Sequence, residues 1–152
     1  MESADMDRVE EHLAHVVDVV LSVQARVPDH DAYALLQRDP FALDGLVHRL
    51  QTAIQAMIDV AFQLSAKVFK QAPENAVQAF EILKREGVIP PEQMPDLRRM
   101  ARFRNLVVHG YLRRDDAVIG EIALQHLGDF TALLGRWPET GPLSFCRSQF
   151  CH

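Results

Sequence analysis

The sequence predicts an all-α fold, a bundle of four to five helices. Apolar residues recur every three or four positions over most of the 152 residues, and prolines and glycines separate these stretches. Strand-like alternation of polar and apolar residues is absent. One hydrophobic core is usual at this length. We therefore expect a helical domain over residues 1–137 and an irregular tail over residues 138–152.

The first helix is expected over residues 5–26, where valines and leucines keep helical spacing. Acidic residues occupy its first turns, where the helix dipole favours negative charge, and Pro28 ends it. A short helix is expected over residues 32–37. The chain thus begins with an acidic helical segment.

The longest helix is expected over residues 41–69. Asp39 and Pro40 supply an N-cap followed by proline at the first helical position. The run that follows, which includes RLQTAIQAMIDVA, keeps apolar residues at helical spacing. This helix should therefore be a main element of the core.

Three further helices should complete the bundle. The third long stretch covers residues 73–86 and should end at Gly87. A fourth helix, beginning at about residue 92 or 95, should end at Gly110. A fifth is expected over residues 116–136, after which the chain should be irregular.

Composition excludes several classes of protein. The formal net charge of -5 argues against a protein that coats nucleic acid without specificity. No apolar run approaches the roughly 18 to 20 residues that span a bilayer, and the acidic start lacks the basic region of a secretory signal. We expect a cytoplasmic protein with no membrane partner. Cys146 and Cys151 lack zinc-like spacing, so no metal site is expected, and the role of their tail is open.

Charge is unevenly distributed along the chain. Residues 1–31 hold eight acidic residues against two arginines, whereas residues 97–114 hold six arginines and no acidic residue. The six are Arg98, Arg99, Arg102, Arg104, Arg113 and Arg114. Such a local cluster on an acidic protein suits contact with a few phosphates rather than with a long nucleic-acid track.

One arginine of the fourth helix breaks its amphipathic pattern. At about 100° per residue, one face carries polar side chains and the opposite face is apolar. The polar face consists of Arg98, Arg102, Asn105 and His109. Arg104 falls in the middle of the apolar sector, where an unpaired guanidinium would cost several kcal/mol. It must find an acidic partner, reach solvent at an edge, or face a cleft between subunits.

Two interpretations of this arginine remain open. In the structural one, Arg104 forms a buried ion pair with Asp44, Asp59 or Glu121, or packs its stem and keeps its head in water. In the catalytic one, Arg104 stabilises charge on a phosphate during RNA cleavage, and His109 takes the proton from the ribose 2'-hydroxyl. Histidine exchanges protons near neutrality and arginine presents a permanently charged planar fork, so this chemistry needs neither metal nor cofactor.

The spacing of the two residues predicts a dimer. Five residues along a regular helix place Arg104 and His109 about 140° apart, too far round to face one small group. Either the helix unwinds at Gly110, or the arginine wraps round, or two subunits pool residues across a twofold axis. A combination of the first and third is favoured, and Asn105 can then orient a phosphate oxygen or the imidazole.

The segment RNLVVHGY, from Arg104 to Tyr111, resembles the motif of HepT-like toxins of the HEPN superfamily. That motif has an arginine, four residues, a histidine, one residue and a tyrosine. The order of helices is similar over residues 5–135. Two features depart from the family: an isoleucine-aspartate pair often follows the motif, where this chain has Leu112 and then basic residues, and the cysteine-containing tail has no counterpart.

The resemblance implies a homodimeric HEPN-type bundle and a metal-independent endoribonuclease toxin that cleaves tRNA or mRNA. Arg104 and His109 would be catalytic, with Asn105 in support, and Tyr111 would be the tyrosine that an MntA-like nucleotidyltransferase antitoxin modifies with AMP. The other arginines of the cluster would bind RNA phosphates: Arg98, Arg102, Arg113 and Arg114.

Two other functions remain open from the sequence. In one, the chain is a non-catalytic HEPN module, in which Arg104 and His109 hold a nucleotide or RNA phosphate without cleaving it. Alternatively, it is a plain helical scaffold whose arginine stripe binds an acidic partner.

Overall fold

Six α-helices form the described part of the chain, and a 3-10 turn precedes the fifth. The structure is a computed structural model that describes residues 3–109, 115–128 and 130. The helices are α1 (Ser3–Arg26), α2 (His30–Leu36), α3 (Pro40–Lys67), α4 (Ala76–Arg85), α5 (Met94–His109) and α6 (Asp116–Gln125), with the turn at Pro91–Gln93. No strand occurs among these residues, and the predicted all-α class is confirmed.

Side-chain caps fix where α2 and α3 begin. Asp39 accepts hydrogen bonds from the backbone N–H groups of Phe41 and Ala42 at 3.0 and 3.3 Å, which confirms the predicted start of α3. Asp29 caps α2 in the same way, accepting from the N–H of Ala32 at 2.8 Å. Helix α2 therefore begins at His30, slightly before the predicted position.

The predicted start of α4 at Pro73 is wrong. The helix begins at Ala76, because Asn75 has an extended backbone and its side chain accepts from the N–H of Gln78 at 2.9 Å. The predicted stop is confirmed: Gly87 has a φ of 81°, which glycine adopts without strain.

Helix α3 lies at the centre of the bundle, against α1, α4 and α5. Its length and mostly apolar sequence let it bury side chains toward all three neighbours. The largest fully buried side chains of the described residues come from α1, α3, α4, α5, α6 and the segments next to α4 and α6: Leu13, Leu50, Ile54, Met57, Phe80, Leu83, Ile89, Leu97, Ile119, Ile122 and Phe130. One continuous core thus holds α5 against α3.

A tyrosine of α2 holds α6 in place through a hydrogen bond and a packing contact. The hydroxyl of Tyr33 donates to the backbone carbonyl of Asp116, and its ring lies against Gly120. Helix α6 ends at Gln125. The predicted unbroken helix over residues 116–136 is wrong at His126, where the backbone leaves the helical conformation. Most of the stretch beyond it, the boundary at residue 137 and the tail with its two cysteines lie outside the described residues. Among the described helices, none combines the length and apolarity needed to cross a bilayer.

Candidate functional site

Helix α5 has the two faces that the sequence predicts. Leu97 is 1% exposed, and Met100, Ala101 and Phe103 are buried beside it. Arg102 and Asn105 are exposed on the other side. The helix therefore presents a polar surface while its apolar side fixes it on the core.

Arg104 lies on the apolar side of α5, as the sequence predicts, and is half-buried against α3. Its Nη1 donates to the side-chain carbonyl Oε1 of Gln55 at 3.2 Å. The amide Nε2 of Gln55 in turn donates to Oδ1 of Asp59 at 2.9 Å. The three side chains form a chain of hydrogen bonds from α5 into α3, which we call the Arg104 relay.

The ion pair expected under the structural interpretation is not found within the described residues. Asp59 is linked to Arg104 only through Gln55, and Glu121 pairs with Arg99 at 2.7 Å. Among the described residues, no carboxylate forms a salt bridge with Arg104. The guanidinium is thus anchored by a neutral group.

The anchoring leaves much of the bonding capacity of Arg104 unused. A guanidinium has five N–H donors, and the described part of the chain gives one of its nitrogens a partner. The Nε of Arg104 is buried and forms no hydrogen bond with any described residue. A buried donor without a partner costs about 1–3 kcal/mol, so this arrangement is not the most stable one for the side chain. An arginine in this state is suited to bind an anion.

The remaining arginines of the cluster differ in availability. Arg98 pairs with Glu81 on α4 at 3.0 Å, and Arg99 pairs with Glu121 on α6. Arg102 is exposed and, within the described ranges, has no salt bridge. Fewer arginines of α5 are therefore available to bind an external anion than the number in the sequence suggests.

Sequence reasoning named Asp59 as a possible direct ion-pair partner of Arg104, but it missed Gln55, which lies between the two. The signal for Gln55 and Asp59 is a polar side chain at every fourth position through the largely apolar part of α3 that follows Arg49, at Gln51, Gln55, Asp59 and Gln63. Because α3 packs against several helices, the polar groups in this row are partly buried and need hydrogen-bonding partners.

The pairing of Arg104 with His109 stays a prediction. His109 is the last residue of α5, but its side chain lies outside the description, as do residues 110–114, which contain Tyr111, Arg113 and Arg114. Within the described residues, no group of three or more His, Cys, Asp or Glu side chains is arranged to hold a metal ion.

Comparison with known families agrees with this layout. A family model described as Ribonuclease HepT-like matches residues 9–136, which is most of the chain. The protein belongs to the HepT-like family. The match includes all six described helices, α1 only from Val9 onward, and the segment from Arg104 to Tyr111.

Two relatives are identical to this member of the HepT-like family at about a quarter of the aligned positions. The mRNA nuclease HepT of Shewanella oneidensis is 25% identical over 87 residues, 57% of this chain and 65% of that protein. The chain thus spans just under two thirds of that relative's length. A protein of Archaeoglobus fulgidus is 26% identical over 128 residues, 84% of this chain and 86% of its own.

Solved structures show the same fold. A toxin-antitoxin crystal structure with AMP-PNP superposes with a TM-score of 0.75 at 19% identity, covering 90% of this chain and 98% of the other. The tri-AMPylated Shewanella oneidensis HEPN toxin in complex with MNT antitoxin gives 0.76 at 20% identity, covering 90% and 97%. The predicted HEPN-type bundle is confirmed.

Proposed function

We propose that this protein is the toxin of a toxin-antitoxin pair and acts as a metal-independent endoribonuclease on tRNA or mRNA. The observation that carries the proposal is the half-buried Arg104 on α5, whose guanidinium is held by the neutral side chain of Gln55. Membership in a family described as ribonucleases supports it, as does the name of the Shewanella oneidensis relative, an mRNA nuclease.

In the proposed reaction, His109 removes the proton from a ribose 2'-hydroxyl. The 2'-oxygen bonds to the adjacent phosphorus, the bond from phosphorus to the 5'-oxygen breaks, and a proton is returned to that oxygen. Negative charge develops on the phosphate oxygens as these bonds exchange. Arg104 stabilises that charge, and Asn105 orients a phosphate oxygen or the imidazole.

The neighbouring arginines hold the RNA on either side of the cleaved bond. Arg102 is the foremost of them because it is exposed and unpaired within the described residues. Arg98 contributes only when it leaves Glu81. Arg113 and Arg114 extend the basic surface beyond α5 in the proposal.

An MntA-like nucleotidyltransferase antitoxin controls the toxin by adding AMP to Tyr111. The solved relative described as tri-AMPylated in complex with MNT antitoxin supports this proposal. Tyr111 lies two residues after His109, so an adenylyl group there places bulk and negative charge beside the scissile phosphate. Both effects exclude RNA.

Cleavage of RNA in EDTA tests the proposal. We expect the wild-type protein to cleave, and Arg104→Ala and His109→Ala to lose the activity. Arg38→Ala is the matched control, because Arg38 is an exposed arginine in the turn between α2 and α3, and it should cleave at the wild-type rate. Tight binding of a nucleotide or RNA without cleavage would indicate the non-catalytic HEPN module instead.

A further inference from the structure

We infer that Gln55 is a positioning residue for Arg104, and that Asp59 fixes the orientation of the Gln55 amide. The inference rests on the proposed role of Arg104 in binding phosphate. Its basis is the Arg104 relay, in which two hydrogen bonds of 3.2 and 2.9 Å join a side chain of α5 to two side chains of α3.

The relay stands on a rigid part of the molecule. Gln55 and Asp59 are four residues apart on one face of α3, and both are half-buried. Ile54 and Ile58, the residues before each of them, are 1% and 2% exposed in the core. A group held from such a helix keeps its position better than one held from a loop.

Hydrogen-bond chemistry allows only one orientation of the Gln55 amide. The N–H groups of Arg104 only donate, so they require the carbonyl Oε1. An ionised Asp59 carboxylate only accepts, so it requires the Nε2 group. Turning the amide by 180° would place two donors together at Arg104 and two acceptors together at Asp59. Asp59 therefore fixes the acceptor that faces Arg104.

A neutral partner suits an arginine that must bind phosphate. A glutamate at position 55 would form an ion pair with the guanidinium, with a shorter and stronger bond, and would offset much of its positive charge. The RNA phosphate would then have to compete with a permanent carboxylate. The glutamine holds the Arg104 side chain through one nitrogen and leaves the positive charge of the guanidinium available to the substrate phosphate. Gln55 acts through Arg104 and need not touch RNA itself.

Two variants of Gln55 test the inference. For Gln55→Ala we expect kcat to fall about 10- to 100-fold, because a poorly placed catalytic group costs rates of this order, while KM changes by less than about threefold. Gln55→Glu keeps an acceptor but adds a charge, so its kcat should fall at least as far. Gln24→Ala, at an exposed glutamine of α1, is the control and should leave both constants unchanged.

A wild-type kcat in either Gln55 variant, with Arg104→Ala inactive, would overturn the positioning role and leave the proposed function standing. A wild-type protein that cleaves no RNA would contradict both the positioning role and the proposed function. Should Gln55→Ala fold poorly, Asp59→Asn supplies the second test, because an asparagine no longer dictates the orientation of the amide. Its kcat should fall below that of the wild type, and a wild-type kcat would contradict the relay.

Discussion

Arg104 is a charged residue whose surroundings favour function over stability. It is half-buried against α3, its Nε is buried with no hydrogen bond to a described residue, and the described group that it does bond, the Gln55 amide, is neutral. A residue selected for packing would be apolar here, and one selected for an ion pair would face a carboxylate. The N–H groups at the end of the guanidinium that Gln55 does not occupy can bind an external anion, which accounts for a charge at this position.

Arg102 and Arg98 should differ in their effect on RNA binding, although they lie one helical turn apart. Replacing the unpaired Arg102 by alanine should weaken binding and reduce the slope of log affinity against log salt by about 0.7 to 0.9, the value for one phosphate contact. Replacing Arg98, which is paired with Glu81, should change the slope by less. Titrations of an inactive His109→Ala protein at several salt concentrations measure both. Equal slopes for the two variants would contradict the distinction.

The candidate site could be predicted only in part. Arg104 stands out in the sequence because a charge in an apolar sector must have a partner. Its partner could not be predicted, since the choice between a carboxylate and an amide depends on how α3 and α5 are aligned over a separation of 49 residues. Helical periodicity gives the faces of each helix but not the register between two helices.

At the scale of elements, caps explain why some helix boundaries were predictable. Asp39 before Pro40 is an unambiguous start, and the structure places α3 there. At α4 the proline at position 73 was a competing start signal, and the asparagine two residues later prevailed because its side chain satisfies a free backbone N–H. Proline only permits a helix start, whereas a cap stabilises one.

Replacement of two glycines by alanine should change the free energy of unfolding in opposite directions. A Cβ on Gly120 would lie 2.5 Å from Cε1 of Tyr33, and that ring is held by its hydrogen bond to Asp116, so Gly120→Ala should lower the free energy of unfolding by about 1–3 kcal/mol. Gly45 lies inside α3 with nothing within 4 Å of a Cβ. Gly45→Ala should therefore stabilise by about 0.5–1 kcal/mol.

Urea unfolding followed by circular dichroism measures both changes, and Gly45→Ala is the matched control for the loss of a glycine. Equal stability of the Gly120→Ala protein and the wild type would show that α6 does not depend on the close approach to Tyr33. The contact between α2 and α6 would then be loose, in conflict with the packing described here.

At the scale of the whole molecule, the proposed dimer makes a quantitative prediction. If Arg104 of one protomer works with His109 of the other, mixing the inactive Arg104→Ala and His109→Ala proteins should restore activity. Random exchange makes about half of the dimers mixed, and each mixed dimer has one of its two sites intact, so about one quarter of the wild-type rate should return. Mixtures that stay inactive after verified subunit exchange would place both residues of a site in one protomer.

Growth and modification also report on the whole molecule. Induced expression should stop cell growth unless His109 is replaced, because uncontrolled RNA cleavage is toxic.

Incubation with ATP and the cognate nucleotidyltransferase should add the mass of AMP to the protein, and Tyr111→Phe should reduce that addition. An unchanged mass of the wild-type protein under these conditions would contradict regulation at Tyr111.

The most direct test of the central claim is the single-turnover rate of RNA cleavage by Arg104→Met in EDTA. Methionine keeps an unbranched apolar stem and fits an irregular, half-buried position, so the helical signal and the unfolding midpoint should stay close to those of the wild type. We expect the rate to fall about 100- to 1,000-fold, the usual cost of removing a group that stabilises transition-state charge. A folded Arg104→Met protein that cleaves RNA at the wild-type rate would contradict the account.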